Sequence, residues 1–191
     1  LMGSVDTIMV TNIGSAAISA VSLVDSLNIL IINVFVAMAT GGAIICAQYL
    51  GSNQKDKANQ ALKQLIFSVT LISILITIPC IVFRRPLLTL IFGSVEKSVM
   101  DNSLSYLYIT ALSYPFIALY NAAAASFRTS QNSILPMAIA FGSNILNIVG
   151  NIFFIFTLSL GVAGAAISTL LSRIVSALII LILLKQPKQD L

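Results

Sequence analysis

Residues 16–50 read AAISAVSLVDSLNILIINVFVAMATGGAIICAQYL, and Asp25 is the only residue among them that is charged at neutral pH. A helix needs about 20 apolar residues to cross a bilayer, so this stretch exceeds one perpendicular span. The sequence therefore predicts a membrane helix here that is tilted and bent, or that begins with an interfacial segment. Gly41 and Gly42 mark the most flexible point of this predicted helix.

The rest of the chain is equally apolar. Of its 191 residues, 58% are hydrophobic and 8% are charged, and the mean hydropathy is +1.03. A soluble domain carries about 25% charged residues, so this composition indicates an integral membrane protein. The apolar runs lack strict polar alternation, which favours helices over a barrel. The net charge of +4 comes mainly from loops and gives no indication of nucleic-acid binding.

Turns and polar loops divide the chain into six predicted membrane helices, which form one all-α bundle over residues 1–191. The first helix is shorter than a full span, so we expect the sequence to begin inside a helix. Residues 87–103 are predicted to lie at the membrane interface, and Pro115 is predicted to bend the fourth helix. The predicted helices cover residues 1–11, 16–50, 58–83, 104–127, 134–158 and 162–184.

The loop charges predict the orientation of these helices, because cytoplasmic loops carry an excess of Lys and Arg. Arg84, Arg85 and Lys97 fall on one predicted side of the membrane. The Lys55 loop, the Arg128 loop and the C-terminal tail are therefore predicted to be cytoplasmic, in a multi-pass protein of the inner (plasma) membrane. The basic residues on this cytoplasmic side are Lys55, Lys57, Lys63, Arg128, Lys185 and Lys188.

The sequence predicts no enzymatic activity. Histidine, the commonest general base, is absent, and there is no P-loop, no GxGxxG after a strand, no HExxH and no Ser/His pair. Cys46 and Cys80 lack CxxC spacing and are interpreted as packing residues. We therefore predict no cofactor, and we expect any driving energy to come from a gradient of protons or sodium.

Two acids lie within the predicted helices. Asp6 stands in the apolar run Ser4-Val5-Asp6-Thr7-Ile8-Met9-Val10. A carboxylate at membrane depth loses its hydration, which disfavours the charged form, so such a residue is a functional-site hypothesis by default. Asp25 either lines a cavity or lies near the outer interface, where its cost is small, and we favour the interface.

A group of amides marks the fifth predicted helix. Asn144, Asn147 and Asn151 are spaced three and four residues apart, which places them on one helical face. Such a stripe is costly against lipid, so it faces protein or water. It is either the lining of a functional pocket or a hydrogen-bonded contact between helices.

The remaining polar side chains in the predicted helices are expected to have mainly structural roles. Arg173 in the sixth helix, with Thr169 one turn earlier, is predicted to pair structurally with a carboxylate, and Asp25 is a candidate partner. The tyrosines of the fourth helix are predicted to be packing or interface aromatics and not ligand contacts; they are Tyr106, Tyr108, Tyr114 and Tyr120.

Several segments in order resemble the multidrug and toxic compound extrusion (MATE) transporters. The resemblance runs along nearly the whole chain, and the ordered set is more specific than any one motif. The segments are Val5-Asp6-Thr7-Ile8-Met9-Val10 with Gly14, Ala47-Gln48-Tyr49-Leu50-Gly51, Arg128, Pro136-Met137, Asn144-x-x-Asn147, and the run from Leu160 to Thr169 (LGVAGAAIST) that closes with Ser172-Arg173.

The resemblance implies a twelve-helix antiporter of two six-helix lobes around a central cavity, with this chain as the N-terminal lobe. It implies export of organic cations in exchange for protons or sodium, with Asp6 as the coupling carboxylate that holds a proton or a sodium ion. Asn147 and Thr169 would line the polar pocket near Asp6, and Asn121 is a further member. Archaeal-type members carry a second acid on helix five, and the matching position here is the amide Asn151.

Two other functions are consistent with the sequence. A lipid-linked oligosaccharide flippase of the same superfamily would have a cavity rich in Arg and Lys, and this chain offers only Arg173 and Arg128. In a non-transporting membrane subunit, the amides would only join helices. Besides the lipid bilayer and an organic cation, the expected partner is a C-terminal six-helix lobe or a second copy of this chain.

Overall fold

The computed structural model describes residues 2–130 and 132–184, and every regular element in these ranges is a helix. The predicted C-terminal tail, with Lys185 and Lys188, lies outside the described residues. The elements in order are α1 (Met2–Met9), a 3₁₀ turn (Val10–Asn12), α2 (Ser15–Gly51), α3 (Lys55–Val82), α4 (Arg84–Phe92), α5 (Lys97–Leu112), α6 (Tyr114–Thr129), α7 (Ile134–Asn151), a π-helical turn (Ile152–Thr157) and α8 (Gly161–Leu184).

Five of the six predicted membrane helices have the length and composition of a membrane span. Helices α2, α3 and α8 qualify individually, and so does α7 together with its π-helical turn. Helices α5 and α6, which meet at an angle of 43°, qualify together as a fifth candidate span. The bend falls at Ser113, just before Tyr114 and Pro115, where the proline ring removes a backbone N–H. The all-α integral membrane fold is therefore confirmed.

The long second helix differs from its prediction. Helix α2 is continuous from Ser15 to Gly51 and has no break at Gly41 or Gly42. A Cβ atom at Gly42 would collide with the side chain of Leu65 on α3, so this glycine allows two helices to pack closely and does not serve as a hinge. A continuous helix also keeps its backbone hydrogen bonds satisfied, which is decisive where no water is present.

Several helix boundaries also differ from the prediction. Helix α5 begins at Lys97, earlier than the predicted residue 104. The fifth predicted helix, residues 134–158, is α-helical only as far as Asn151. The segment predicted to be interfacial contains the short helix α4. Its Leu88 is buried, whereas Leu90 is 84% exposed. The guanidinium of Arg84 lies 5.1 Å from the ring centre of Tyr108, which fits the interfacial role predicted for that tyrosine.

The interior of the bundle contains many small side chains. Residues 122–125 of α6 are four consecutive alanines, and all four are buried. Small residues let helix backbones approach closely in a membrane, where association depends on packing. Large apolar side chains such as Phe67 and Phe141 are 68% exposed on the outside, as expected for a surface that faces lipid. Cys46 and Cys80 are free and buried.

Candidate functional site

The carboxylate of Asp6 lies at the meeting point of four helices. Its side chain has 0% exposure. Its Oδ2 accepts hydrogen bonds from Thr169 Oγ1 at 2.6 Å and from Tyr106 Oη at 2.9 Å. Its Oδ1 accepts from Asn151 Nδ2 at 2.8 Å and from Asn147 Nδ2 at 3.4 Å. The four donors come from α5, α7 and α8, so three helices join α1 through one side chain.

The amides of α7 take two different roles. Asn147 and Asn151 are both fully buried and both point to Asp6. Asn147 Nδ2 also lies 3.0 Å from Thr169 Oγ1, which connects the amide to α8. Asn144 instead donates to the backbone oxygen of Ala140 in its own helix, at 2.8 Å. Of the three amides predicted to share one face of this helix, only Asn147 and Asn151 therefore contact Asp6.

The local backbone brings α7 and α8 close together at this point. A Cβ atom at Gly150 would collide with Ser168 Oγ, so the glycine leaves room for this hydroxyl between the two helices. Ser168 Oγ donates to the backbone oxygen of Asn147 at 2.7 Å. The π-helical turn begins at Ile152, directly after Asn151.

Tyr106 is the site residue that the sequence analysis missed. It was predicted to be a packing or interface aromatic, but it is 1% exposed and its hydroxyl contacts Asp6. Tyr114 is also fully buried, and its Oη donates to Asn28 Oδ1 at 2.7 Å. Because a buried phenol needs a hydrogen-bond partner, a tyrosine deep in an apolar helix could have signalled a polar neighbour. The identity of that neighbour depends on the packing of α1 against α5.

The preferred interpretation of Asp25 is corrected. An interfacial position was favoured, but Asp25 belongs to the same polar cluster as Asp6. Its Oδ1 lies 3.2 Å from Tyr106 Oη and 3.3 Å from Asn28 Nδ2. Its Oδ2 is buried and has no hydrogen-bond partner among the described residues. The cause is the pairing of α1 with α2, in which Gly3 lies directly against this carboxylate.

Arg173 also differs from its prediction. It is 7% exposed, and its Nη1 donates to Ser113 Oγ at 2.7 Å, at the bend between α5 and α6. That hydroxyl is therefore its hydrogen-bond partner, and the proposed pairing with Asp25 is not found as an ion pair among the described residues. Its Nε has no partner in the described part of the chain.

Asn121 does not join the cluster around Asp6. Its Nδ2 is buried without a hydrogen-bond partner among the described residues, and it does not line the cavity next to the cluster. The resemblance-based placement of Asn121 in the pocket is thus not matched by the geometry of α6.

A cavity of about 610 Å³ lies beside the polar cluster. This volume falls within the range typical of small-molecule sites. Asp25 lines the cavity but Asp6 does not, so the fully buried acid stands behind the half-buried one. The lining of the cavity contains one carboxylate, Asp25, and one cation, Arg173. Its polar residues include Asp25, Asn28, Asn33, Tyr120, Asn144 and Arg173.

The described residues contain no group of three or more His, Cys, Asp or Glu side chains that would hold a metal ion. At Asp6 the amides of Asn147 and Asn151 present N–H groups, which stabilise a carboxylate and do not coordinate a cation. Their two side-chain oxygens are buried and have no donor in this part of the chain. For these amides to coordinate a sodium ion at Asp6, their side chains would have to turn.

Comparison with known proteins places this arrangement in a family. The MatE family model matches residues 1–153. The chain belongs to the MatE family. This MATE chain is 30% identical over 191 residues to the uncharacterized transporter YisQ of Bacillus subtilis (strain 168), covering 97% of this chain and 41% of that protein.

Two further similarities agree. The multidrug export protein MepA of Staphylococcus haemolyticus (strain JCSC1435) is 25% identical over 177 residues, which cover 93% of this chain and 39% of that protein. The fold matches the inward-facing structure of a multidrug resistance MATE family transporter with a TM-score of 0.93 and 24% identity, over 100% of this chain and 43% of that one. The chain thus spans about two fifths of the length of the relatives it matches. The resemblance to MATE transporters, which form a transporter family and not an enzyme family, is confirmed.

Proposed function

We propose that this chain forms one six-helix lobe of a plasma-membrane antiporter that exports organic cations, and that Asp6 carries the coupling proton. The observation that carries the proposal is the set of four donors aimed at one fully buried carboxylate. Such an arrangement stabilises the ionised acid without a metal, and the acid becomes neutral when it takes up a proton. One relative is named a multidrug export protein, which supports drugs as the substrate class, and organic cations are the drugs that the sequence resemblance implies.

Proton uptake by Asp6 is coupled to conformation through the hydrogen bonds that its carboxylate accepts. When Asp6 is ionised, its hydrogen bonds tie α1 to α5, α7 and α8. Protonation replaces one acceptor position by an O–H donor, so at least one of these donors loses its acceptor. The two charge states therefore favour different packings of α1, which is the differential stability that coupling requires. The second lobe, supplied by the rest of the full-length protein or by a second copy, would complete the transport pathway.

Proton coupling agrees better with the geometry than sodium coupling does. Asn147 and Asn151 present N–H groups to Asp6, whereas a sodium ion needs oxygen ligands, which only the hydroxyls of Thr169 and Tyr106 offer in this arrangement. Sodium dependence of transport at constant pH would favour the other ion and would imply that Asn147 and Asn151 turn their amides.

The lining of the cavity argues against a flippase. A flippase for a pyrophosphate-linked lipid needs several cations in its cavity, whereas this one places Arg173 beside the acid Asp25, and Arg128 does not line it. A non-transporting subunit would need the amides only to join helices, as Asn147 does with Thr169 on α8, and it gives no reason for Asn147 and Asn151 also to surround a fully buried carboxylate.

The orientation remains the one predicted from loop charge. If each of the five spans crosses the membrane once, α2 ends and α3 begins on the side where α6 ends and α7 begins. The Lys55 and Arg128 loops then share the cytoplasmic side, and Arg84, Arg85 and Lys97 lie on the outer side.

The test is Asp6→Asn in the full-length protein, reconstituted in proteoliposomes with an imposed pH gradient. We expect gradient-driven accumulation of ethidium, a fluorescent organic cation, to be lost while the variant still folds. The matched control is Asp101→Asn, which makes the same change at an exposed position on α5. Accumulation that survives in Asp6→Asn would refute Asp6 as the coupling residue.

A further inference from the structure

Tyr106 joins two carboxylates through one oxygen atom. Its Oη lies 2.9 Å from Asp6 Oδ2 and 3.2 Å from Asp25 Oδ1. A phenol carries one hydrogen, so it donates to only one of the two acids at a time. The other contact is a hydrogen bond only when that acid supplies the hydrogen. The three oxygens therefore form a chain that holds two hydrogens.

The two acids differ in their access to the cavity. Asp25 is partly exposed and lines the cavity of about 610 Å³, whereas Asp6 is fully buried and does not. A proton that arrives from the cavity therefore meets Asp25 first. The absence of a Cβ at Gly3 leaves the space that the Asp25 carboxylate occupies against α1, because a Cβ there would lie 2.5 Å from Oδ2.

The other donors to Asp6 offer no comparable route. Asn147 and Asn151 contact it through amide N–H groups, which do not pass protons along a chain. Thr169 Oγ1 accepts its own hydrogen bond from Asn147 Nδ2, so no acid lies behind it. Among the four donors to Asp6, Tyr106 is the one whose oxygen also contacts a second described carboxylate.

We propose that Asp25 is a second coupling carboxylate, and that Tyr106 relays protons between Asp25 at the cavity and Asp6 in the interior. The proposal rests on the proposed function, in which Asp6 carries the coupling proton. In the step, the O–H bond of protonated Asp25 breaks as its hydrogen passes to Tyr106 Oη. The Tyr106 hydrogen passes at the same time to Asp6 Oδ2. Asp25 ends ionised, Tyr106 ends neutral with a new hydrogen, and Asp6 ends protonated.

The charged and titratable groups around the relay are few. Besides the two acids and Tyr106 of α5, the groups that interact with them are Tyr114 of α6 and Arg173 of α8. From α7 only amides face the pair. Arg173 also lines the cavity, and its positive charge favours an ionised Asp25 after the proton has moved inward.

The experiment separates proton movement from cation movement in the full-length protein. Asp25→Asn and Tyr106→Phe are each reconstituted and assayed for ethidium accumulation under a pH gradient, and for ethidium exchange at equal pH on both sides. Exchange needs no change in the protonation of Asp6. The matched control is Tyr114→Phe, which also removes one buried phenol oxygen but contacts Asn28 and no carboxylate.

We expect both relay variants to slow accumulation by about a hundredfold, the lower end of what positioned proton transfer contributes. Exchange and melting temperature should stay close to those of Tyr114→Phe. Asp25→Glu, which keeps a carboxylate, should restore accumulation. If Asp25→Asn does not fold, Gly3→Ala takes its place, because it displaces the Asp25 carboxylate and keeps all four donors to Asp6, whereas Tyr106→Phe also removes one of those donors.

The two proposals fail in different ways. Accumulation lost in Asp6→Asn but retained at the control rate in Asp25→Asn or Tyr106→Phe would overturn the relay and leave Asp6 as the coupling residue. Equal losses of exchange and accumulation in Tyr106→Phe would also overturn the relay, because a structural defect slows both. Accumulation retained in Asp6→Asn would overturn the proposed function itself.

Discussion

A single methyl group at residue 164 tests how closely α8 approaches the π-helical turn. In Gly164→Ala the new Cβ would lie 2.9 Å from both the carbonyl carbon and the carbonyl oxygen of Phe154, and 3.2 Å from the nitrogen of Ile155. Carbon atoms pack best at about 3.5–4.0 Å. All three obstructing atoms belong to the backbone, so no side-chain rotation relieves the contact. The helix must move.

A second glycine removes the contribution of helix propensity from this test. Gly142 on α7 has nothing within 4 Å of the position where its Cβ would be. Replacing a helical glycine by alanine stabilises a helix by about 0.5–1 kcal/mol, and this gain applies to both variants. The difference between Gly142→Ala and Gly164→Ala is therefore the overpacking cost alone, which is about 1–3 kcal/mol.

The measurement is the melting temperature of the purified full-length protein in detergent, compared between the two variants. We expect Gly164→Ala to melt lower than Gly142→Ala, by about 1 °C for each kcal/mol in a protein as long as its relatives. A shift of α8 would also carry Thr169 away from Asp6, so gradient-driven accumulation should fall in Gly164→Ala only. Equal melting temperatures in the two variants would show that α8 does not pack against this turn.

Two further substitutions test the site directly. Thr169→Val removes the shortest hydrogen bond to Asp6, and a hydrogen bond to a charged group contributes about 1.5–3 kcal/mol, so ionised Asp6 loses that stabilisation and gradient-driven ethidium accumulation should slow by about tenfold to a hundredfold. Thr169→Ser keeps the hydroxyl and should accumulate ethidium normally; equal accumulation in the two variants would contradict the role of this donor. Gly3→Ala would force Asp25 out of its place and should slow accumulation as Asp25→Asn does, whereas Gly41→Ala on α2 meets open space and should not. Normal accumulation in Gly3→Ala would show that the position of Asp25 against α1 is not required.

The candidate site was predicted only in part from the sequence. Asp6, Asn147, Asn151 and Thr169 were proposed as neighbours because an acid and amides at membrane depth need polar partners, and the resemblance aligned them. The structure brings all four together. Asn121, the remaining member that the resemblance suggested, is not part of the cluster.

The misinterpreted residues share one physical cause. Within its own helix, Tyr106 is adequately explained as a packing aromatic, and Asp25 as an acid near the membrane interface. Their partners lie 100 and 81 residues apart in sequence, across helix pairs whose register depends on side-chain packing. Arg173 likewise donates to Ser113, a hydroxyl exposed to it by the bend between α5 and α6.

The sequence by itself determined the membrane class, the helical fold and the need of Asp6 for polar partners, because burying charge and backbone in lipid is costly at any position along the chain. Only the tertiary structure decided that Asp25 stands between Asp6 and the cavity, and that Tyr106 contacts both acids. Periodicity specifies which face of a helix is polar. The rotation and depth at which two such faces meet depend on close contacts such as those at Gly3, Gly42 and Gly150, which no single helix specifies.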